Sequence, residues 1–171
     1  MSAETNEDGL STVELQELMK FCSICPEEFF GVQPCDIFLK NAVQKKFPSR
    51  SRHIINLSSS NNSGSHWICV MLKGKKAYYF DSYGQKCYDK NILKAFEEMD
   101  VKLYYNDVKI QHDQSVHCGY FSIARLLCDE VGMCHEQFIK LFNQKCLDLN
   151  DEISVSIIKE FVDRKNQAVT R

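Results

Sequence analysis

Four side chains far apart in the chain would make a nucleophilic catalytic site if the fold brought them together: His66, Asp81, Gln111 and Cys118. A cysteine attacks a carbonyl carbon as thiolate, so it needs a base, and the base needs a carboxylate or amide to orient it. The oxyanion that develops needs a donor. These four residue types supply one of each. Cys118 stands just before Tyr120, Phe121, Ile123, Ala124, Leu126, Leu127 and Val131, which recur at helical spacing until Gly132 stops the pattern. The spacing predicts a helix with Cys118 at its N-terminus, where free backbone N–H groups and the helix dipole favour a thiolate. Gly119 beside it removes a side chain where a substrate backbone would pass.

The elements that must position these groups are legible in outline. Residues 67–72 are a near-continuous apolar run, 73–76 a polar turn and 77–80 a second apolar run, which together predict a buried hairpin. His66 opens its first strand and Asp81 ends its second, so the two meet at one edge, with a small offset for a bulge to absorb. Gln111 lies seven residues before Cys118, in a polar segment that must turn back to start the helix. Its amide and the Cys118 N–H could therefore face one point. Around this frame the patterns predict helices over 11–20, where Ser11 and Glu14 form a capping box, and from Pro34 to about 46, ended by Pro48. A strand over 53–57 leads into a Ser/Asn/Gly loop at 58–65. Further helices are expected over 91–99, 135–145 and 151–164, and further strands over 101–105 and 108–110. Short central strands flanked by helices make the fold class α+β.

With 171 residues, the chain has the size of one domain, expected over 10–171 after a flexible acidic tail at 1–9. A composition of 44% hydrophobic and 26% charged residues, with three prolines and seven glycines, excludes collagen-like and disordered classes. A net charge of −2 gives no global field for nucleic acid, so any DNA contact needs a local patch. The candidate patch is Lys45, Lys46, Arg50 and Arg52, next to His53. No apolar run approaches the ~20 residues of a membrane span, and the first eight residues do not form a signal peptide. Nine cysteines without regular spacing point to a reducing compartment and to buried thiols. Cys22 and Cys25 have metal-ligand spacing with no second pair to complete a site, so structural thiols are expected and no metal. His117 is read as loop or rim rather than as the partner of Cys118, and His53, His112 and His135 as surface or capping residues.

Three blocks carry a family resemblance: Gly64-Ser65-His66-Trp67, the run from Tyr78 to Gly84, and the run from Gln111 to Phe121. They resemble the histidine, acid and nucleophile blocks of the adenovirus-type cysteine proteases, and the order His, acid, Gln, Cys is shared with the related SUMO-specific proteases. Six residues between Gln111 and Cys118, and Phe29-Phe30-Gly31-Val32 followed by Asp36, are similar to the adenain-like branch of viruses and Polinton-type elements. Asp81-Ser82 is closer to the SUMO-protease acid block, and the interval from His66 to Asp81 is two residues tighter than in either group.

The resemblance implies a permuted papain-like fold, with a central, mostly antiparallel sheet between helices, and hydrolysis of peptide bonds after small residues such as Gly. It implies that His66 shuttles the proton of Cys118, Asp81 orients His66, Gln111 with the Cys118 N–H binds the oxyanion, and Trp67 and Gly119 border the substrate. No cofactor is needed for the chemistry, although an activating peptide and DNA are candidate partners by the same likeness. The expected substrates are viral capsid or core precursors. The expected setting is the nucleus or cytoplasm of an infected cell, or the virion, with the protein monomeric. An isopeptidase acting on SUMO or ubiquitin-like tails is the alternative enzyme, and a catalytically silent capsid- or DNA-binding relative is the alternative of another class.

Overall fold

The computed structural model describes residues 9–169. Residues 1–8 of the expected tail therefore lie outside the described residues, while Gly9, its last residue, packs with the folded part that was expected to begin at Leu10. Leu10 is in the core, and Gly9, at φ +78°, lies so close to the Val116 carbonyl that a Cβ would sit 2.9 Å from it.

Five strands form one sheet in chain order: β1 (Phe29–Pro34), β2 (Arg50–Asn56), β3 (Trp67–Lys73), β4 (Lys76–Phe80) and β5 (Lys102–Tyr105). The two central pairings, β2–β3 and β3–β4, are antiparallel, and the pairings at each edge, β1–β2 and β4–β5, are parallel. The sheet is thus mixed, antiparallel only at its centre. Burial alternates with the two-residue strand period. Ile54, Cys69, Met71 and Phe80 face one apolar cluster, while Ile55, Ile68, Val70, Leu72, Ala77 and Tyr79 face the other.

Helices cover both faces. The first cluster is completed by α1 (Thr12–Cys22), α4 (Cys118–Glu130), α5 (His135–Ile139) and α6 (Asn150–Val169), and the second by α2 (Cys35–Val43) and α3 (Lys90–Met99). The predicted capping box starts α1, with Ser11 Oγ accepting from the Glu14 N–H and Glu14 Oε2 from the Ser11 N–H. The central helix is α4, buried from Gly119 to Asp129 between the sheet, α1 and α6. Its buried polar residues, Ser122, Arg125 and Asp129, sit among Phe121, Ile123, Ala124, Leu126 and Leu127.

Several expectations need correction. Residues 108–110 form no strand, because the Ile110 and Gln111 N–H groups both bond the Ser82 carbonyl instead of a neighbouring strand. The helix expected over 135–145 stops at Ile139. The edge strand β1 was read only as a motif. His53 is fully buried, not a surface residue: its ring lies among Phe30, Phe38 and Phe47, its nitrogens meet Gln33 and Ser51, and burial pushes its pKa down to about 3. His135 is half-buried beside Tyr78 and Phe80, and its Nδ1 accepts from Arg125 Nε. Burial first, then the neighbouring guanidinium, lower its pKa to about 3. His112 is on the surface, as expected.

Candidate active site

The β3–β4 hairpin delivers the histidine and the acid. Its pairing runs from Cys69 with Phe80 to Lys73 with Lys76, leaving a two-residue turn. Extended by three residues, that register sets His66 opposite Tyr83, with Asp81 diagonal on the same face. His66 Nε2 is 2.9 Å from Asp81 Oδ1, and the Tyr83 ring lies against the imidazole at 4.9 Å between centroids. The expected edge meeting of His66 and Asp81 is thus present in the fold.

Asp81 is held from three sides. Its Oδ1 also accepts from the Tyr83 N–H at 2.8 Å, and its backbone N–H and carbonyl are both bound by the side-chain amide of Asn106, at 2.9 and 2.7 Å. Asn106 thereby continues the β4–β5 ladder beyond the last paired residues, Tyr79 and Tyr105, with a side chain in place of backbone. The turn then closes through Gly84, whose φ is +67° and where a Cβ would lie only 2.6 Å from Val108 C and Lys109 N, so no side chain fits.

Cys118 is the first residue of α4, half-buried, and no side chain caps that helix. The positive end of the helix dipole therefore favours a developing negative charge at Cys118. The thiol lies close enough to His66 to act on its imidazole. Burial acts to lower the His66 pKa, but the hydrogen bonds and charges of Asp81 and Cys118 outweigh it and raise the value to about 9. The imidazole is therefore charged at neutral pH, the state that pairs with a thiolate.

Gln111 is fully buried. Its Oε1 accepts from Ser82 Oγ at 2.5 Å, and its Nε2 donates to the Ser115 carbonyl at 2.8 Å. An amide has two N–H donors, and the Ser115 carbonyl takes one of them. The loop from Gln111 to Cys118 is tied to the start of α6. Asn150 Nδ2 donates to the Ile110 carbonyl at 2.8 Å, Ser115 Oγ donates to Asp151 Oδ1 at 2.8 Å, and His117 Nδ1 is 3.2 Å from Asp151 Oδ2. The His117 ring also lies against Tyr120, 4.8 Å between centroids.

The remaining candidates divide. Trp67 borders His66, and its indole donates to the Leu10 carbonyl at 3.0 Å. Gly119 does not open onto substrate: a Cβ there would meet Leu15 Cδ2 at 3.0 Å and Leu10 Cβ at 3.2 Å, so the missing side chain makes room for the chain's own α1 region. Gly119→Ala should gain about 1 kcal/mol of helix propensity but lose more to overpacking, typically about 1–3 kcal/mol. The expected result is a melting temperature lower by a few degrees with KM unchanged; a raised KM at unchanged stability would restore the substrate-side role.

The DNA patch loses its last member. Lys45, Lys46 and Arg50 are exposed, but Arg52 is 2% exposed and locked between Glu28 and Asp129. Among the described residues no group of His, Cys, Asp and Glu could hold a metal ion, and no helix is long and apolar enough to cross a membrane.

Residue spacing gave no hint of Asn106, Ser82, Asn150 or Asp151. Each acts through contacts between segments 25 to 40 residues apart. Only Ser82, inside a recognisable block, was within reach of motif reading.

No protein-family model matches this chain, and no curated protein does. Solved structures do. The ASFV pS273R protease superposes with a TM-score of 0.67 at 13% identity, over 91% of this chain and 68% of that one. Its selenomethionine form gives 0.60 at 16% identity, over 92% and 69%. The C-terminal protease domain of Ulp1, in complex with Smt3, the yeast ortholog of SUMO, gives 0.52 at 16% identity, over 92% and 80%. This chain has the α+β fold of the pS273R and Ulp1 proteases.

Proposed function

We propose that the chain is a cysteine protease of adenain type, cleaving precursor polypeptides after small residues such as Gly. The carrying observation is the line of contacts from Asp81 through His66 to Cys118 at an uncapped helix N-terminus. In this reading, Cys118 attacks the scissile carbonyl as thiolate, and the oxyanion is met by the Cys118 N–H and the remaining N–H of Gln111. Charged His66 gives its proton to the leaving amine, and neutral His66 then takes one from the water that hydrolyses the thioester. Asp81 holds the ring throughout.

A second reading, an isopeptidase acting on ubiquitin-like tails, is favoured by the likeness to a protease domain solved with a SUMO ortholog and by the Asp81-Ser82 pair. Hydrolysis of a short Gly-Gly-aminomethylcoumarin peptide tests both. The expected result is release of coumarin by the protein, with the rate falling as pH rises through about 9. The sign follows from His66: its raised pKa keeps the imidazolium present below that point, and the leaving group loses its acid above it. Cleavage that requires a folded ubiquitin-like substrate would favour the isopeptidase. Absence of both activities, with no labelling by a Gly-Gly vinyl sulfone, would leave the catalytically silent reading.

A further inference from the structure

We infer that Ser82 is a positioning residue for the oxyanion donor, so that the dipeptide Asp81-Ser82 aligns both the base and the oxyanion hole from one strand end. The inference rests on the protease reading and goes beyond it, because it gives a role to a residue outside the four catalytic candidates.

A glutamine amide is useful as an oxyanion donor only if its nitrogen, not its oxygen, faces the reacting carbonyl. The two ends are nearly the same shape, so packing alone does not choose between them. Here hydrogen bonds choose. Ser82 Oγ, 1% exposed as part of a buried residue, donates to Gln111 Oε1 at 2.5 Å, and Gln111 Nε2 donates to the Ser115 carbonyl at 2.8 Å. Turning the amide over would set the oxygen against the Ser115 carbonyl, two acceptors face to face. The Ser82 carbonyl also accepts from the Ile110 and Gln111 N–H groups at 2.9 and 3.0 Å, which fixes the Gln111 backbone to the same residue.

One residue earlier, Asp81 binds His66, and the Asn106 amide clamps the Asp81 backbone. Imidazole and amide are therefore referenced to two adjacent residues at the end of β4, so their separation is set by a single backbone step. Preorganised donors of this kind stabilise charge because they need not reorient as it develops.

The test uses Ser82→Ala, Ser82→Thr and Gln111→Ala in the full chain, with a Gly-Gly peptide substrate and a Gly-glycinal peptide aldehyde. In the aldehyde adduct the Cys118 sulfur bonds to the carbonyl carbon, the C=O π pair moves to the oxygen, and that oxygen needs the hole or a proton from His66. Alkylation by iodoacetamide displaces iodide and forms no oxyanion.

Ser82→Ala is expected to lower kcat and weaken aldehyde inhibition by about 10- to 100-fold each, within the loss known for a whole oxyanion donor. KM, the melting temperature and the rate of Cys118 alkylation should stay within about twofold or a few degrees of the parent. Ser82→Thr, which keeps the hydroxyl, should recover most of the loss, and Ser82→Ala should add nothing in the Gln111→Ala background.

The inference is overturned if Ser82→Ala keeps parental kcat and aldehyde affinity. It is equally overturned if alkylation and melting temperature fall in step with turnover and Thr restores none of them. A parent protein that neither turns over peptide nor binds the aldehyde refutes the protease reading and this inference together, whereas failure of the Ser82 variants alone leaves that reading standing.

Discussion

Cys118→Ala is expected to turn over no Gly-Gly peptide while melting within a few degrees of the parent protein. Loss of a nucleophile that acts with its base and oxyanion donor as a unit costs on the order of 10⁶ in kcat. Stability should barely respond, because the residue is half-buried at the first position of α4, and Ala is the best helix former. His66 keeps its bond to Asp81 when the sulfur is gone.

The same variant identifies the reactive thiol. Burial raises the pKa of Cys22 and Cys128 to about 11 and of Cys87 to about 12, and pushes that of Cys69 further still, so all four are poor nucleophiles at pH 7. Cys25 and Cys35 are raised by burial as well. The exposed competitors are Cys134 and Cys146. In a Cys134→Ser, Cys146→Ser background, iodoacetamide should modify the parent quickly and the Cys118→Ala protein slowly. Equal rates would mean that Cys118 is an ordinary thiol and that the fold is used for binding alone.

How much of this was legible in the sequence differs from residue to residue, and the reason is range. The His66–Asp81 meeting could be read because a hairpin fixes register locally: once the turn is placed, every cross-strand neighbour follows. Cys118 could be read because helical periodicity announces where α4 starts. By contrast, β1 (Phe29–Pro34) contains a glycine and ends in proline, which argue against a strand interior. It exists because it is an edge, where proline is tolerated, pairing in parallel with β2 across a helix.

Gly119 was misread because a glycine next to a nucleophile fits two explanations, a passage for substrate or a close approach of the chain itself, and sequence does not say which neighbour arrives. The histidines show the same limit. His53 looked like part of a basic surface run, yet β2 turns it inward among three phenylalanines. Asn106 was invisible because a side-chain amide acting as a surrogate ladder has no periodic signature.

Asp129→Ala carries the largest expected loss of stability, and it follows from the residue most thoroughly misjudged from sequence, Arg52. The two side chains are 77 positions apart and each is 2% exposed. Arg52 Nε and Nη2 meet Asp129 Oδ2 at 3.1 and 3.0 Å, Lys73 Nζ meets Oδ1 at 2.6 Å, and Arg125 Nη2 lies 3.8 Å from Oδ1. One buried carboxylate thus compensates three cations, two of them fully buried. Arg52 retains Glu28 without it, but Arg125 has no other carboxylate partner among the described residues, and burial already disfavours its charged form.

Breaking a buried ion pair from one side costs about 3–5 kcal/mol, because the abandoned charge keeps its desolvation penalty. At roughly 2–4 °C per kcal/mol for a domain of this size, the melting temperature should fall by roughly 10 °C. Arg52→Met should cost clearly less, since Asp129 then keeps Lys73 and Arg125, Glu28 keeps Arg50, and the apolar chain fills much of the guanidinium's space. Scanning calorimetry of the two variants decides the matter: an equal loss would mean that the network stabilises through packing alone. A loss for Asp129→Ala that disappears in 1 M salt would mean that these charges are solvated and Arg52 is, after all, available to a polyanion.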